Sequence, residues 1–437
     1  MRKHLPIIVL LLASIAVHFA FYGSPKQTVF DEVHFGKFAS GYFTREYFFD
    51  IHPPLGKLLV SGAGYLVGFQ PGFSFGSIGD RFPDNTYLAL RLLPTLAGTL
   101  LPLIIYLLVM ELGMSRKAAF AAGMLIVLEN ALLVQSKFIL LDAFLLLFGF
   151  LAWLMYAKYR HRQKLYLLVL AAACAGLAVS VKWTGATFLL IILVLEIKRW
   201  RNWFVLLIVP FAIYYALFTI HFSLLTKPGP GDAFMSQQFQ EGKLSAFDKF
   251  IELNKVMYTA NAGLTATHPY SSKWYSWPFM TRGIYYWNGS STGTEQARIY
   301  LVGNPVIWWA STFAIIYVIM SSVTIRNKFL ILLSGAYLVN MLPFIGIARA
   351  LFLYHYFIGL IVAIIALVYL IDQLPSLRQG FGGLSALNNL KVYKKTAVFG
   401  GLILISLISF LYFAPLSYGR PLTNSEFQAR MWLKSWE

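Results

Sequence analysis

Apolar runs of about 17–25 residues, the length that carries a helix across a bilayer core, recur from end to end of this chain. A backbone inside lipid must satisfy its own N–H and C=O groups, so such a chain folds as a helical bundle or a closed barrel. Alternating strand patterns are absent, which argues against the barrel. Composition agrees: of 437 residues, 58% are hydrophobic and 12% charged, too much apolar surface for a soluble fold of this size. The expected class is an all-α polytopic membrane protein. With Arg2 and Lys3 on the cytoplasmic side, the runs give about eleven transmembrane helices, N-terminus cytoplasmic and C-terminus external. Approximate bounds are 5–22, 87–110, 117–135, 138–157, 165–182, 184–197, 203–221, 304–324, 329–345, 350–371 and 397–416.

The formal charge of +18 would suit nucleic acid, but its placement speaks for topology. On this layout the cytoplasmic turns read SRK at 115, KYRHRQK at 158, KRWR at 198, RNK at 326 and KVYKK at 391. They are basic and almost free of acids, the positive-inside pattern. The first twenty residues resemble a signal peptide, yet no small-x-small cleavage site follows, so an uncleaved first span is expected. Cys174 is the single cysteine, so no disulfide forms within the chain. Residues 1–437 read as one membrane domain with two long external segments, 23–86 and 222–303. The first places Phe35, Phe38, Ala39 and Tyr42 on one face at helical spacing, which predicts a surface helix with Asp31 at its start. A second helix is expected after Pro53-Pro54. The other segment, rich in Gly, Pro and Trp, predicts an ordered cap on the bilayer.

The polar residues near lipid are unevenly placed. Arg91 lies near the outer end of the second span and Glu129 near that of the third. Lys137 and Asp142 open the fourth, Lys182 ends the fifth and His221 the seventh. Arg349 precedes the tenth, with His355 further in. Ionisable groups at membrane depth usually line a cavity. All of these fall on the outer side beside Asp31, Glu32 and His52, which predicts one outward-facing polar cavity. Blander roles stay open for each. Asp31 suits a helix N-cap, His52 a pre-proline turn, and Arg91 a snorkelling interfacial position. Glu129 and Asp142 could pair with Lys137 to orient helices, and Trp274, Trp277, Trp308 and Trp309 could form an interface belt.

No HExxH or cysteine cluster suggests zinc, no P-loop suggests a nucleotide, and no GxSxG elbow is present. An external cavity can admit lipid-linked sugar donors. Transfer from a polyprenyl phosphate needs a carboxylate to take the acceptor hydroxyl's proton and cations to meet charge on the departing phosphate. One base opposite one cationic site gives a single displacement with inversion.

The stretch FDEVHFGKFASGYFTREYFFDIHPPLGK from Phe30 resembles the signature of protein O-mannosyltransferases. In the same order follow LRLLPTLAG at 90, LENALLVQSKFILLDAFLLLF at 128, VKWTGA at 181 and GPGDAFMSQQFQ at 229. SSKWYSWPF at 271, GNPVIWW at 303 and FLYHYF at 352 complete a resemblance that covers most of the chain. It implies a GT-C fold and an inverting transfer of mannose from dolichyl- or polyprenyl-phosphate mannose to Ser or Thr hydroxyls of proteins, with no metal or other cofactor. By motif position it implies Asp31 as base and Glu32 as its partner near the acceptor. Arg91 corresponds to a donor-phosphate contact, with Lys182 and Arg349 as further ones; His52, Glu129, Lys137, Asp142 and His355 remain supporting candidates. The β-trefoil MIR domain that eukaryotic members carry has no room in 222–303, which suggests a prokaryotic plasma-membrane enzyme with an external active site. A GT-C transferase acting on a lipid, glycan or cell-wall acceptor remains the alternative, with a lipid-linked sugar transporter behind it.

Overall fold

The computed structural model describes residues 4–265, 267–289, 293–347, 349–373 and 385–437, the last without side chains over 385–394. Among these, seven helices are long and apolar enough to cross a membrane: Tyr87–Glu111, Asp142–Arg162, Arg201–Leu224, Pro305–Ile325, Lys328–Gly346, Leu353–Gln373 and Lys395–Tyr418. The protein is thus an integral, multi-pass membrane protein. Arg116–Val127 and Asn130–Lys137 meet at a 58° bend and together make at most an eighth crossing. Leu5–Phe19, Leu165–Val181 and Trp183–Leu195 are apolar but shorter. Each of the expected spans has its apolar helix, yet seven or eight reach crossing length alone among the described residues.

The run expected as one span over 117–135 breaks for a local reason. Glu129 adopts an extended conformation and its carboxylate accepts the Leu132 N–H at 2.7 Å, capping a new helix in mid-run. A side-chain acceptor at an N-cap satisfies a donor that the helix itself cannot. Hydropathy reads through the break because only Glu129 and Asn130 interrupt the apolar stretch.

In the long segment 23–86, Glu32–Thr44 buries Phe35, Ala39 and Tyr42 on one face. Leu55–Leu66 starts directly after Pro53-Pro54, where a proline's missing N–H costs nothing. The long segment 222–303 carries a helix, Ala246–Gly263, and then departs from an all-helical reading. Strands β1 (Ile284–Asn288) and β2 (Glu295–Leu301) pair antiparallel, and β3 (Pro421–Thr423) adds to β2 from the far end of the chain. The β1–β2 register shifts between Tyr285 and Trp287, leaving Tyr286 as a bulge. β1 carries Tyr285, Tyr286 and Trp287 in succession, so no alternation announces it. Trp277 and Trp308 are core residues, not an interface belt: both are fully buried, and the Trp308 indole donates to the Trp277 carbonyl at 2.8 Å.

Candidate active site

The FDE turn is held by the β-sheet. Phe30 sits at φ +46°, a left-handed conformation that costs a side-chain-bearing residue energy. Two contacts hold it there: its N–H donates to the Tyr286 carbonyl at 3.0 Å, and its ring stacks on Tyr286 with centroids 4.1 Å apart. The bulge therefore aims Tyr286 at the residue before Asp31. Asp31 occupies the N-cap position of Glu32–Thr44, but its carboxylate caps no N–H. Burial pushes the Asp31 carboxyl up to about 7, with Lys182 pulling it down and Asp142 and Asp50 pushing it further up. A partly charged carboxylate near neutral pH suits a general base.

Glu32 and Arg91 have a different fate from the expected one. The Arg91 guanidinium donates from Nε to Glu32 Oε1 and from Nη2 to Glu32 Oε2, both at 2.7 Å. Nη1 donates to the Gly23 and Pro25 carbonyls at 3.0 and 2.8 Å, and Nη2 also reaches the Gln27 carbonyl at 2.7 Å. That engages all N–H donors of a guanidinium. The rings of Phe82, Tyr87 and Phe138 lie 4.9–5.3 Å from its centre. Glu32 also accepts from the Val29 and Ile139 N–H groups at 2.8 and 2.9 Å. Both side chains are fully buried. Arg91, expected on the donor phosphate, here gives every N–H to protein acceptors. Glu32, expected near the acceptor, here has both oxygens engaged. The pair is a clamp that fixes the turn carrying Asp31 to the Tyr87–Glu111 helix.

The cations that remain available line a cavity of about 370 Å³ together with His52, Asp142, Tyr354, His355, Asn261 and Thr184. Lys182 reaches it because the chain runs extended between helix Leu165–Val181 and the following turn Trp183–Gly185. The turn needs Gly185, since a Cβ there would lie 2.4 Å from the Ala178 carbonyl carbon. Lys182 Nζ donates to both Asp142 oxygens at 2.8 and 2.9 Å. Arg349 lines the same cavity with no acid within ion-pairing distance among the described residues; burial lowers its guanidinium from the ordinary value while Tyr354 pulls it up. Burial, then Lys182, Lys57, Arg349 and His355, hold His52 well below the usual imidazole range, so it is neutral. The His355 ring lies parallel to Trp277 and Tyr354, at 5.8 and 4.7 Å.

Other predicted members lie elsewhere. Glu129 receives the Leu132 and Asn304 N–H groups, both at 2.7 Å. Lys137 donates to the His18 and Ala20 carbonyls and faces the Tyr418 ring. Neither Glu129 nor Asp142 pairs with Lys137; Asp142 takes Lys182 and Gln135 in its place. His221 hydrogen-bonds the Tyr42 hydroxyl at 2.8 Å within a separate aromatic cluster. Sequence reading missed Lys57, which is buried and donates to Asp50, the His52 carbonyl and the Pro53 carbonyl. The Asp and Lys flanking a His-Pro-Pro turn were the available signal. It also missed Tyr354, Gln135 and Tyr286, for which only folding supplies a reason. Among the described residues, no group of three His, Cys, Asp or Glu side chains gathers as a metal site would require.

Residues 8–226 match the family model described as Dolichyl-phosphate-mannose-protein mannosyltransferase, and residues 246–436 match the C-terminal four TMM region of protein-O-mannosyltransferase. The chain is similar to dolichyl-phosphate-mannose–protein mannosyltransferase 4 of Candida albicans, 36% identical over 56% of this chain and 36% of that protein. It is similar to protein O-mannosyl-transferase 1 of Danio rerio, 30% identical over 69% of this chain and 46% of that one. It thus spans less than half the length of these relatives. Its fold matches a solved S. cerevisiae Pmt1-Pmt2 protein O-mannosyltransferase complex described as bound to the sugar donor. The TM-score is 0.89 at 21% identity, over 100% of this chain and 93% of that one. Cupriavidus metallidurans ArnT bound to undecaprenyl phosphate gives a TM-score of 0.58 at 11% identity, over 94% and 76%. These structural likenesses concern the fold, which is GT-C.

Proposed function

We propose that this chain, which belongs to the protein O-mannosyltransferase family, transfers mannose from polyprenyl (dolichyl) phosphate mannose to Ser or Thr hydroxyls of proteins. The observation that carries this reading is the uncapped Asp31 carboxylate within the field of Lys182, which lines a cavity together with Arg349. In the proposed step, an acceptor hydroxyl gives its proton to Asp31 as its oxygen bonds to the sugar's anomeric carbon. The bond from that carbon to the phosphate oxygen breaks, and the electron pair leaves with the lipid phosphate. Attack opposite the leaving group inverts the anomeric centre. Lys182 and Arg349 stabilise the charge that grows on the phosphate, where a partly buried cation is worth more than in water. A lipid phosphate leaves as an anion, so no second acid is required. The step takes no metal.

The setting in this reading is a prokaryotic plasma membrane with the cavity on the external face. Support comes from helix Asp142–Arg162: Asp142 lies in the cavity, whereas Arg160, His161 and Arg162 lie in its last turn. That separates them by about 30 Å, a bilayer core, with basic residues at the end expected to stay cytoplasmic.

The test supplies purified protein with lipid-phosphate mannose and a Ser/Thr-rich peptide, alongside Asp31→Asn. Mannosyl peptide from the parent chain and about a 10²-fold or greater loss in the variant are expected. Equal transfer by both would remove Asp31 as base. Transfer only to lipid or glycan acceptors would replace the protein acceptor.

A further inference from the structure

Several contacts that the proposed chemistry does not use join into a closed ring around Asp31. The Tyr286 hydroxyl donates to Gln135 Oε1. Gln135 Nε2 donates to Asp142 Oδ2 at 2.6 Å. Asp142 holds Lys182 through both oxygens, and Lys182 is the cation with the largest pull on Asp31. The ring closes through the Phe30 backbone, whose N–H and side chain both rest on Tyr286. Gln135 and Tyr286 are buried, and an amide there has one useful orientation. Its oxygen must accept and its nitrogen donate, because the phenol can donate and the carboxylate only accepts. The phenol therefore fixes the amide, the amide fixes the carboxylate, and the carboxylate fixes the lysine.

We propose that Gln135 and Tyr286 are positioning residues for the transfer reaction: they lock Asp142 and thereby set where the Lys182 charge stands relative to Asp31. This rests on the reading of Asp31 as base. The charged and titratable groups facing Asp31 are Lys182, Asp142 and Asp50, with the Tyr286 and Tyr354 hydroxyls nearby. With the amide gone or turned, Asp142 is free to swing with Lys182 away from Asp31. The cation that holds the carboxyl down is then lost, and the base ionises at higher pH.

The experiment measures mannose transfer against pH for the parent chain, Tyr286→Phe and Gln135→Leu. Tyr286→Phe keeps the ring stacked on Phe30 and removes only the hydroxyl. Each variant is expected to move the acid limb of the kcat profile up by about 0.5–1 pH unit, and to cut kcat at pH 7 about 3–10-fold. Because both act through one amide, the double variant should move the limb no further than Gln135→Leu alone. Size-exclusion profiles check folding, and if Tyr286→Phe does not fold, Gln135→Leu carries the test. A folded variant with the parent's limb overturns the ring, even if its melting temperature falls. No transfer by the parent chain overturns the function itself, and the ring with it.

Discussion

Asp31 and Glu32 are adjacent, chemically alike and put to opposite uses. Glu32 spends both oxygens on four donors, including the Arg91 fork; Asp31 leaves its own uncapped. Two predictions separate them. A base must be ionised to accept a proton, and falling pH protonates Asp31, so kcat should fall as pH drops through about 7; a pH–rate profile checks this. Glu32→Ala leaves a buried guanidinium unpaired, which costs about 3–5 kcal/mol. It should appear as lost yield or a lowered melting temperature, where Asp31→Asn leaves a folded, inactive protein. Among the described residues Arg349 has no acidic partner to orphan. Arg349→Ala should therefore keep stability and raise KM for the lipid donor about tenfold or more, read from donor titrations. The importance of these residues was visible in the motif, but the division of labour was not. An FDE tripeptide does not say which acid faces an arginine sixty residues on.

At the scale of elements, the informative features are breaks. Glu129 bends an apolar run by capping a helix within it, and its other oxygen receives the Asn304 N–H just before helix Pro305–Ile325. Glycine is required beside it: a Cβ on Gly303 would lie 2.1 Å from the Trp308 ring and 2.6 Å from Glu129 Oε1. Glu129→Ala should destabilise by about 2–5 kcal/mol through two orphaned buried N–H groups, measured as a fall in melting temperature. Since this joint lies outside the cavity, transfer by the fraction that stays folded should persist. The LENALLVQSK pattern offered an acid at a span's outer end, which fits pairing with Lys137 to orient helices better than direct chemistry. The Asn304 contact, with a partner 175 positions away, decided for structure. The bulge at Tyr286 was illegible for a similar reason, because strand pairing there is set by β2 and by the Phe30 turn.

For the whole molecule, the proposed orientation puts the cavity on the external face and the basic end of helix Asp142–Arg162 in the cytoplasm. Cys174 is the single cysteine, so a Cys174→Ser background allows sidedness to be read directly. A cysteine introduced at Lys37 should react with an impermeant maleimide from outside intact cells. One introduced at Arg199 should react only after permeabilisation. The reverse result would turn the cavity to the cytoplasm. EDTA should leave the rate of transfer unchanged, because the proposed step uses protein cations alone.

By itself the sequence determined the solvent, the helical class and the family. These follow from sums over many residues, such as apolar length and a motif order spread over most of the chain. Only the tertiary structure decided which charges are spent and which are available. Arg91, Glu32, Glu129 and Lys137 satisfy buried donors and acceptors, whereas Lys182 and Arg349 line the cavity and Asp31 feels the Lys182 charge. An ionisable group's role is set by the partners that reach it, and here those partners come from segments far apart in the chain.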